Sequence, residues 1–411
     1  MRHFSHLNTA TKIVQQYEGK GPLHLYLKSF FSQHKKFGSK DRKRISHLCY
    51  LYYRVARGFG DAFENEDSET IQQKILTGLF LCSYEDDELL AAMKPDWNDR
   101  IALGVLDKVA IIQKEIARTT FNVKNIYPSN EELSNGINED LFILSHFDQP
   151  DLFIRVRPGQ KGAVIEKLKS QEVLYEWIPE SAIRLPNGYK VQDHFALDKE
   201  IVVQDLSSQQ VGDLIKSATD QGNVQRDSSM HKQPPIVIWD CCAASGGKSI
   251  MAKDILGAID LTVSDVRKSI LINLKKRFET AGINSYKSFI ADLSSESCKP
   301  GDSVYDLIIA DLPCTGSGTW SRTPEQLYFF QPDSVANYNR LQRKILDNTI
   351  PHLKETGKLL YVTCSVFKKE NEDVIEYIVS KFQLKVERMQ LLKGYDSKAD
   401  TIFAASLSRL H

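Results

Sequence analysis

The sequence predicts a protein of three parts: an all-helical region, a small α/β module and a larger α/β domain built on a parallel sheet. Apolar residues recur at intervals of three and four in the first part, short strand-like runs follow, and from residue 236 onward apolar strands alternate with helices. The 411 residues suffice for two or three domains, and the composition, 42% hydrophobic and 26% charged, excludes a disordered, collagen-like or disulfide-stapled chain.

The helical part is expected at residues 1–125. Ile45, Leu48 and Tyr52 share one helical face, and a second series with similar spacing follows between residues 71 and 81. Glycine and proline are sparse inside these stretches. We therefore expect an all-α domain of five to seven helices.

Residues 126–200 combine a linker with the small α/β module. The predicted elements are a strand at 152–157, a helix at 162–170, and short strands at 176–178 and 182–185. Asn187-Gly188 is typical of a hairpin turn. The later stretch 217–235, which contains many small polar residues, predicts a solvated and mobile loop.

The third part, residues 201–411, carries five runs that predict buried strands. They are Ile236–Trp239, Leu261–Ser264, Tyr286–Ile290, Leu307–Ala310 and Lys358–Val362. Helical segments lie between most of them, which favours a parallel sheet with helices on both faces. Such sheets bind ligands at the carboxyl ends of their strands.

The formal net charge of zero conceals an uneven distribution of charge. Residues 1–60 carry a net charge of +10, residues 61–150 carry −11, and the remainder carries +1. The basic segment, with interleaved aromatic residues such as Phe31 and Tyr52, either faces nucleic-acid phosphates or packs on its acidic neighbour. The sequence favours neither alternative.

The seven cysteines are scattered, with no C-x-x-C pair and no zinc-ligand spacing, so no structural metal is expected. The first residues lack the apolar core of a signal peptide, and no stretch approaches 18 consecutive apolar residues. We expect a cytoplasmic protein with reduced thiols and no membrane partner.

A loop with two glycines follows the first strand of the predicted sheet. Residues 240–249 read Asp-Cys-Cys-Ala-Ala-Ser-Gly-Gly-Lys-Ser, and glycines between a strand and a helix let the backbone approach a ligand closely. A phosphate-binding P-loop would need a glycine at position 242, where this chain has Cys, so an NTPase is disfavoured.

Acidic residues follow three successive strands: Asp240, Asp265 and Asp292. Each alone is expected to be a helix cap or a surface acid, but together they favour a ligand that contains a nucleoside. Because acids rather than bases are expected to line this crevice, S-adenosylmethionine fits better than a dinucleotide.

Two cysteines are expected at the tips of adjacent parallel strands. The fourth strand continues into Asp311-Leu312-Pro313-Cys314, and the fifth into Thr363-Cys364-Ser365. A single cysteine there would most often be a small buried hydrophobe. Two cysteines beside a cofactor crevice favour a reactive pair.

A pair of this kind suits methylation at carbon 5 of a pyrimidine. A thiolate that adds to carbon 6 makes carbon 5 nucleophilic, and a carboxyl group near nitrogen 3 stabilises the adduct. A second group must then help to expel the thiolate. Amine methyltransferases need no cysteine and carry an aromatic residue where this chain has Cys314.

These residues resemble the signature motifs of the RsmB/Sun-type (NOL/NOP/Sun) RNA cytosine-5 methyltransferases. The matching segments are Gln204–Gln209, Asp240–Lys248, Asp311–Gly318 with Arg322 and Pro324, and Thr363–Ser365. Residues 37–54 resemble, more weakly, that family's helical N-terminal domain. The resemblance implies a Rossmann-like class I methyltransferase domain, a small α/β RNA-binding module and an all-α N-terminal domain that binds RNA.

The resemblance also implies roles for individual residues. Cys364 resembles the nucleophile, Cys314 the cysteine that assists release, and Asp311 the acid that holds the cytosine. Asp265 resembles the ribose ligand and Asp292 the ligand near the adenine. The remaining cofactor-binding residues, beside Asp311, are Cys242, Ala243, Ala244, Ser245, Gly246, Gly247 and Lys248.

The chain departs from the family pattern at two positions. Ser245 stands where the family usually has Pro, which makes the loop less rigid, and Arg157 stands where it usually has Asn. Arg277 and Arg322 are expected to be structural or RNA-facing, without a firm role.

The sequence thus predicts a monomeric, S-adenosylmethionine-dependent RNA cytosine-5 methyltransferase that acts on ribosomal RNA, without a metal. The ribosomal substrate depends on the helical N-terminal domain, and transfer RNA is the alternative. From a different class, the chain could be a non-catalytic RNA-binding assembly factor.

Overall fold

The computed structural model describes residues 2–60, 66–115, 121–128, 131–219, 234–298 and 300–410. Most of the predicted loop 217–235 lies outside these residues. The chain divides into two compact units. The helical unit comprises Met1–Glu132, Asn138–Gln149 and Thr319–Pro332; the α/β unit comprises Leu133–Ile137, Pro150–Gly318 and Asp333–His411. The expected domain boundaries at residues 125 and 200 stay a prediction.

Seven α-helices form in the described part of residues 1–125, as expected, and an eighth lies within the expected linker. The α-helices are α1 (Arg2–Gln16), α2 (Leu23–Gln33), α3 (Ser39–Val55), α4 (Ser68–Cys82), α5 (Glu88–Met93), α6 (Pro95–Asn98), α7 (Val105–Glu115) and α8 (Glu139–Ser145). In α3, Ile45, Leu48 and Tyr52 are all buried, so the apolar spacing marks the face turned to the core.

The aromatic residues of the basic segment are more buried than its charges, although Arg42 lies over the Phe31 ring at 5.9 Å. Phe31 and Tyr52 are buried in the helical unit, whereas Lys28, Lys35, Lys36, Lys40, Arg42 and Lys43 are exposed. Aromatic side chains on an amphipathic helix bury their large apolar area. Arg44 pairs with Asp87 of the acidic segment (2.6 Å), but the choice between RNA contact and packing stays open.

The small module is a four-stranded antiparallel sheet. Its elements are β1 (Leu152–Val156), α9 (Lys161–Ser170), β2 (Glu176–Ile178), β3 (Ala182–Leu185) and β4 (Ile201–Val203), with strand order β2-β3-β1-β4. The predicted hairpin at Asn187-Gly188 is wrong. The paired strands β2 and β3 are joined at residues 179–181, and β3 is not paired with β4.

The large sheet has seven strands among the described residues, in the order β10-β11-β9-β8-β5-β6-β7. In chain order the elements are α10 (Leu206–Thr219), β5 (Ile236–Asp240), α11 (Gly247–Leu256), β6 (Ile259–Asp265), α12 (Lys268–Ala281), β7 (Lys287–Ile290), β8 (Tyr305–Asp311), α13 (Pro324–Tyr328), α14 (Asp333–Thr349), β9 (Leu353–Thr363), α15 (Glu372–Phe382), β10 (Leu384–Leu392) and β11 (Ile402–Arg409). Helix α13 lies in the Thr319–Pro332 segment of the helical unit.

The five predicted strands are confirmed, and they pair in parallel. Strands β10 and β11 were not predicted, and they add an antiparallel edge next to β9. Each face of the sheet buries its own apolar cluster. Ile238 packs with the cluster that includes residues of α10–α12, and the next residue, Trp239, packs with α14 and α15.

Within the described residues, none of the helices combines the length and the apolar character needed to cross a membrane.

Candidate active site

The carboxyl ends of the parallel strands bring most of the predicted residues to one edge of the sheet. Strand β8 lies between β5 and β9, and Asp311 at its end pairs in register with Val362 of β9. Asp240 and Asp265 end the neighbouring strands β5 and β6. The expected adjacency of the strands that precede Cys314 and Cys364 is therefore observed.

Cys314 and Cys364 are free, half-buried thiols that interact with each other. A side-chain hydrogen bond to Cys364, with burial as the next cause, raises the pKa of Cys314 well above its usual value. Two adjacent sulfur atoms cannot both ionise cheaply. Cys314 is therefore held as the neutral thiol of the pair.

Lys248 interacts with both Asp311 and Cys364. Its buried ammonium donates hydrogen bonds to Asp311 Oδ2 (3.0 Å) and to the hydroxyl of Ser208 (3.1 Å). Burial alone would lower the pKa of Lys248, but the charges of Asp311 and Cys364 outweigh it, so the pKa is raised.

A buried carboxylate, Glu370, joins the two cysteine loops. It accepts hydrogen bonds from the Thr315 amide (2.8 Å) and hydroxyl (2.6 Å), beside Cys314. It also accepts one from the Ser365 hydroxyl (2.5 Å), beside Cys364. Glu370 is fully buried, so these charge-assisted bonds fix the loops relative to each other.

The residues around Glu370 extend this connection. The Asn371 side chain donates to the Ser365 carbonyl (2.9 Å) and to the Ser134 hydroxyl (2.7 Å), and Ser134 donates to Glu372 (2.9 Å). A buried polar group is costly unless it is hydrogen-bonded, and most members of this cluster have two or more partners. No pattern in the sequence indicated this cluster, because Glu370 and Glu372 resemble the acidic residues that commonly occupy the first turn of a helix.

Gly318 closes the Cys314 loop against the Cys364 loop. Its amide donates to the Cys364 carbonyl (2.8 Å), and its carbonyl accepts from the Thr401 amide (2.9 Å). A Cβ at this position would lie 1.9 Å from the Thr401 carbonyl oxygen. Only glycine allows this approach of backbone to backbone.

The loop after β5 is shaped for close approach to a ligand. Gly246 has φ +83° and precedes α11, and a Cβ there would lie 2.5 Å from the Phe278 ring. At Gly247, the first residue of α11, a Cβ would meet nothing within 4 Å. The loop thus packs on α12 at Gly246 and leaves open space at the first helical residue, where amide groups are free to donate.

Residues 242–245 complete that loop. Cys242 is half-buried beside the buried Cys241, and Ala243 donates its amide to the Ser264 carbonyl (2.9 Å). Ala244 has φ +47° and donates to Asp265 (3.0 Å). Ser245 accepts two hydrogen bonds from Arg277.

Asp265 already has four hydrogen-bond donors among the described residues. They are the Ala244 and Arg267 amides and two guanidinium nitrogens of Arg267. A carboxylate offers about four lone-pair directions, so its capacity is filled. The expectation that acids rather than bases line the crevice is therefore wrong, because Lys248 and Arg267 accompany Asp311 and Asp265.

The other two acids differ in their surroundings. Asp292 is exposed and accepts hydrogen bonds from the Ser294 amide (3.0 Å) and hydroxyl (2.6 Å). Asp240 is buried and accepts one from Ser249 (2.6 Å), and burial raises its pKa to about 7. Asp292 is thus available to a ligand, whereas Asp240 supports the start of α11.

Two arginines without an assigned role lie in different units. Arg277 on α12 bonds Asp198 and Ser245, so it is structural in the α/β unit. Arg322 lies in the Thr319–Pro332 segment of the helical unit.

The fold is similar to that of known methyltransferases. The crystal structure of PH0851 aligns with a TM-score of 0.70 over 98% of both chains at 17% identity. NSun6 from Pyrococcus horikoshii, solved with SFG, aligns with a TM-score of 0.56 over 66% of this chain and 94% of that chain, at 14% identity. This chain therefore has the Rossmann-like fold of these solved structures.

Residues 229–403 match the model of the 16S rRNA methyltransferase RsmB/F family, whose members are S-adenosylmethionine-dependent methyltransferases. The probable ribosomal RNA small subunit methyltransferase B of Bacillus subtilis is 26% identical over 241 residues. That match spans 57% of this chain and about half, 51%, of that protein.

Proposed function

We propose that the protein, as a monomer in the cytoplasm, transfers a methyl group from S-adenosylmethionine to carbon 5 of a cytosine in ribosomal RNA. The observation that carries the proposal is the interacting pair of free thiols, Cys314 and Cys364, beside Asp311 and Lys248. The family description and the name of the B. subtilis relative support ribosomal RNA as the substrate. The seven free cysteines fit a reducing compartment.

The residues of the cofactor side fit S-adenosylmethionine, which supplies an electrophilic methyl group when bound. Asp265 would hold the ribose hydroxyls, Asp292 would lie near the adenine, and the backbone of residues 242–247 would hold the methionine part. The open space at Gly247 supports this assignment. The similar NSun6 structure was solved with SFG, an S-adenosylmethionine analogue.

Cys364 is the proposed nucleophile. Its thiolate forms a bond to carbon 6 of the cytosine, the electrons of the 5,6 double bond move onto carbon 5 and the ring, and Asp311 stabilises the adduct at nitrogen 3. Lys248 supports this arrangement, since its ammonium donates a hydrogen bond to Asp311 and interacts electrostatically with Cys364.

Cys314 is proposed to assist release. After carbon 5 has taken the methyl group, with S-adenosylhomocysteine as the leaving group, the proton on carbon 5 passes to water, the double bond re-forms, and the carbon–sulfur bond breaks with its electrons returning to Cys364. A neutral thiol beside the departing thiolate can donate a hydrogen bond to it. The raised pKa of Cys314, caused first by its hydrogen bond to Cys364, keeps that thiol protonated.

Replacement of Cys364 by Ala tests this assignment. Total RNA from a strain that lacks the protein would be incubated with the variant and methyl-labelled S-adenosylmethionine. We expect transfer to carbon 5 of cytosine to be abolished, with the buried Cys49→Ala as a thiol control that retains transfer. Full transfer by Cys364→Ala would contradict the mechanism. Label in transfer RNA instead of ribosomal RNA would correct the substrate.

A further inference from the structure

The cofactor loop is tied to the small module through one arginine. Arg277 on α12 donates to both carboxylate oxygens of Asp198, at 2.9 and 2.7 Å. Its third nitrogen donates to the Ser245 carbonyl (3.0 Å) and hydroxyl (2.9 Å). Arg277 therefore spans from the turn that precedes β4 to the centre of the cofactor loop.

The far end of this connection is itself held rigidly. Asp198 has φ +61° and donates its amide to the Ile201 carbonyl (2.7 Å). Its carbonyl accepts from Arg157 Nη1 (2.6 Å). Arg157 also donates to Asp254 in the last turn of α11 (2.7 Å), so the same turn of the small module is tied to the helix that follows the cofactor loop.

Two positions at which the chain departs from the pattern that it resembles, 157 and 245, lie in this network. Arg157 replaces the usual Asn and holds the carbonyl of Asp198. Ser245 replaces the usual Pro, and its hydroxyl is an acceptor that proline cannot provide. A proline would restrict the backbone at position 245 through its ring, whereas in this chain a side chain from α12 restricts it from outside.

We propose that Arg277, anchored by Asp198, is a positioning residue that holds the cofactor loop in the shape that binds S-adenosylmethionine. A planar guanidinium can bond both oxygens of a carboxylate and a carbonyl in one fixed geometry, which the single nitrogen of lysine cannot reproduce. The small module thus sets cofactor affinity without touching the cofactor. This inference depends on the proposed cofactor.

The test measures binding of S-adenosylmethionine by isothermal titration calorimetry, using the full chain. Asp198→Asn removes the charge that anchors Arg277, and we expect the Kd to rise about tenfold. The kcat at saturating cofactor should stay near wild type, because the cysteine loops are not attached to Arg277. Asp306→Asn is the matched control, since Asp306 pairs with Lys354 at the opposite end of β8.

A second substitution separates positioning from general stability. Adding Ser245→Pro to Asp198→Asn should restore most of the lost affinity, because proline restricts the loop without Arg277. Ser245→Ala alone, which removes only the hydroxyl contact, should raise the Kd by about two- to fivefold.

Three results would overturn the inference. One is an unchanged Kd for S-adenosylmethionine in Asp198→Asn, in a preparation whose melting temperature shows that the variant is folded. Another is a loss of affinity that the added Ser245→Pro does not restore. A parallel fall in affinity in Asp306→Asn would show a general loss of stability. If the wild-type chain itself binds no S-adenosylmethionine, the proposed function fails, which is a different outcome.

Discussion

The two halves of the candidate active site are held in different ways. The cysteine half is fixed from within, because the buried Glu370 bonds residues next to both cysteines. The cofactor half is held from outside by Arg277, and one of its carboxylates, Asp265, is bonded by the mostly exposed Arg267. The reacting half is thus preorganised, whereas the cofactor half must exchange partners.

This difference fits the chemistry proposed for each half. A nucleophile and its acid gain rate when their geometry is fixed before the substrate arrives. A cofactor that is bound and released in every turnover needs an entry step, and the Arg267 side chain, 60% exposed, can move away at little cost.

Replacement of Glu370 by Gln tests the preorganised half most strongly. A glutamine has one acceptor oxygen where three donors now converge, so we expect a loss of about 2–4 kcal/mol in the free energy of unfolding. Transfer should fall by more than about tenfold, because both cysteine loops lose their common anchor. Denaturant unfolding and a single-turnover assay measure the two effects.

The control for Glu370→Gln is Glu376→Gln, on the exposed side of α15. Near-wild-type stability of Glu370→Gln would show that the cysteine loops keep their structure without Glu370. The proposed difference in how the two halves of the site are held would then be wrong.

Replacement of Asp265 by Asn tests the cofactor half at its acidic residue. Loss of a charged acceptor for a ribose hydroxyl should cost about 1.5–3 kcal/mol, or roughly 10- to 100-fold in the Kd for S-adenosylmethionine. Calorimetric titration measures this. An unchanged Kd would remove Asp265 from the cofactor site.

Replacement of Arg267 by Ala should act in the opposite direction. An exposed ion pair contributes about 0–1 kcal/mol, so release of Asp265 from its guanidinium should tighten binding by at most about fivefold. Weaker binding by Arg267→Ala would mean that the guanidinium itself contacts the cofactor.

The smallest effect is expected from the basic segment. If Lys35 and Lys36 contact phosphates, replacing both by Gln should weaken the salt dependence of RNA binding. The slope of the logarithm of the binding constant against the logarithm of the salt concentration should become shallower by about 0.7–0.9 for each lost contact. The exposed pair Lys381 and Lys385, changed in the same way, serves as the control. An unchanged slope would favour packing on the acidic segment over RNA contact.

The parallel strands and their tips could be predicted from the sequence, because buried parallel strands are short apolar runs followed by loops with special residues. Strand β10 could not be predicted, since it is an edge strand. Its exposed residues, such as Lys385 and Arg388, interrupt the apolar pattern that marks a buried strand. Strand β11 has a buried apolar run of its own, so the sequence analysis missed a signal that was present.

The residues of the site divide in a similar way. Cys314, Cys364 and Asp311 follow from motif and strand position, and the structure brings them together with Lys248. The contacts of Glu370 and Arg277 join residues that are far apart in the sequence, such as Arg277 and Asp198. No local pattern indicates contacts of this kind, because they depend on how the elements pack.

The covalent adduct tests the central claim most directly. Cys314→Ala would be incubated with substrate RNA and S-adenosylmethionine, then examined by denaturing electrophoresis and mass spectrometry. We expect an RNA–protein adduct attached at Cys364, which disappears when Cys364→Ala is added. Absence of an adduct in Cys314→Ala together with undiminished turnover would contradict the assignment of nucleophile and release group.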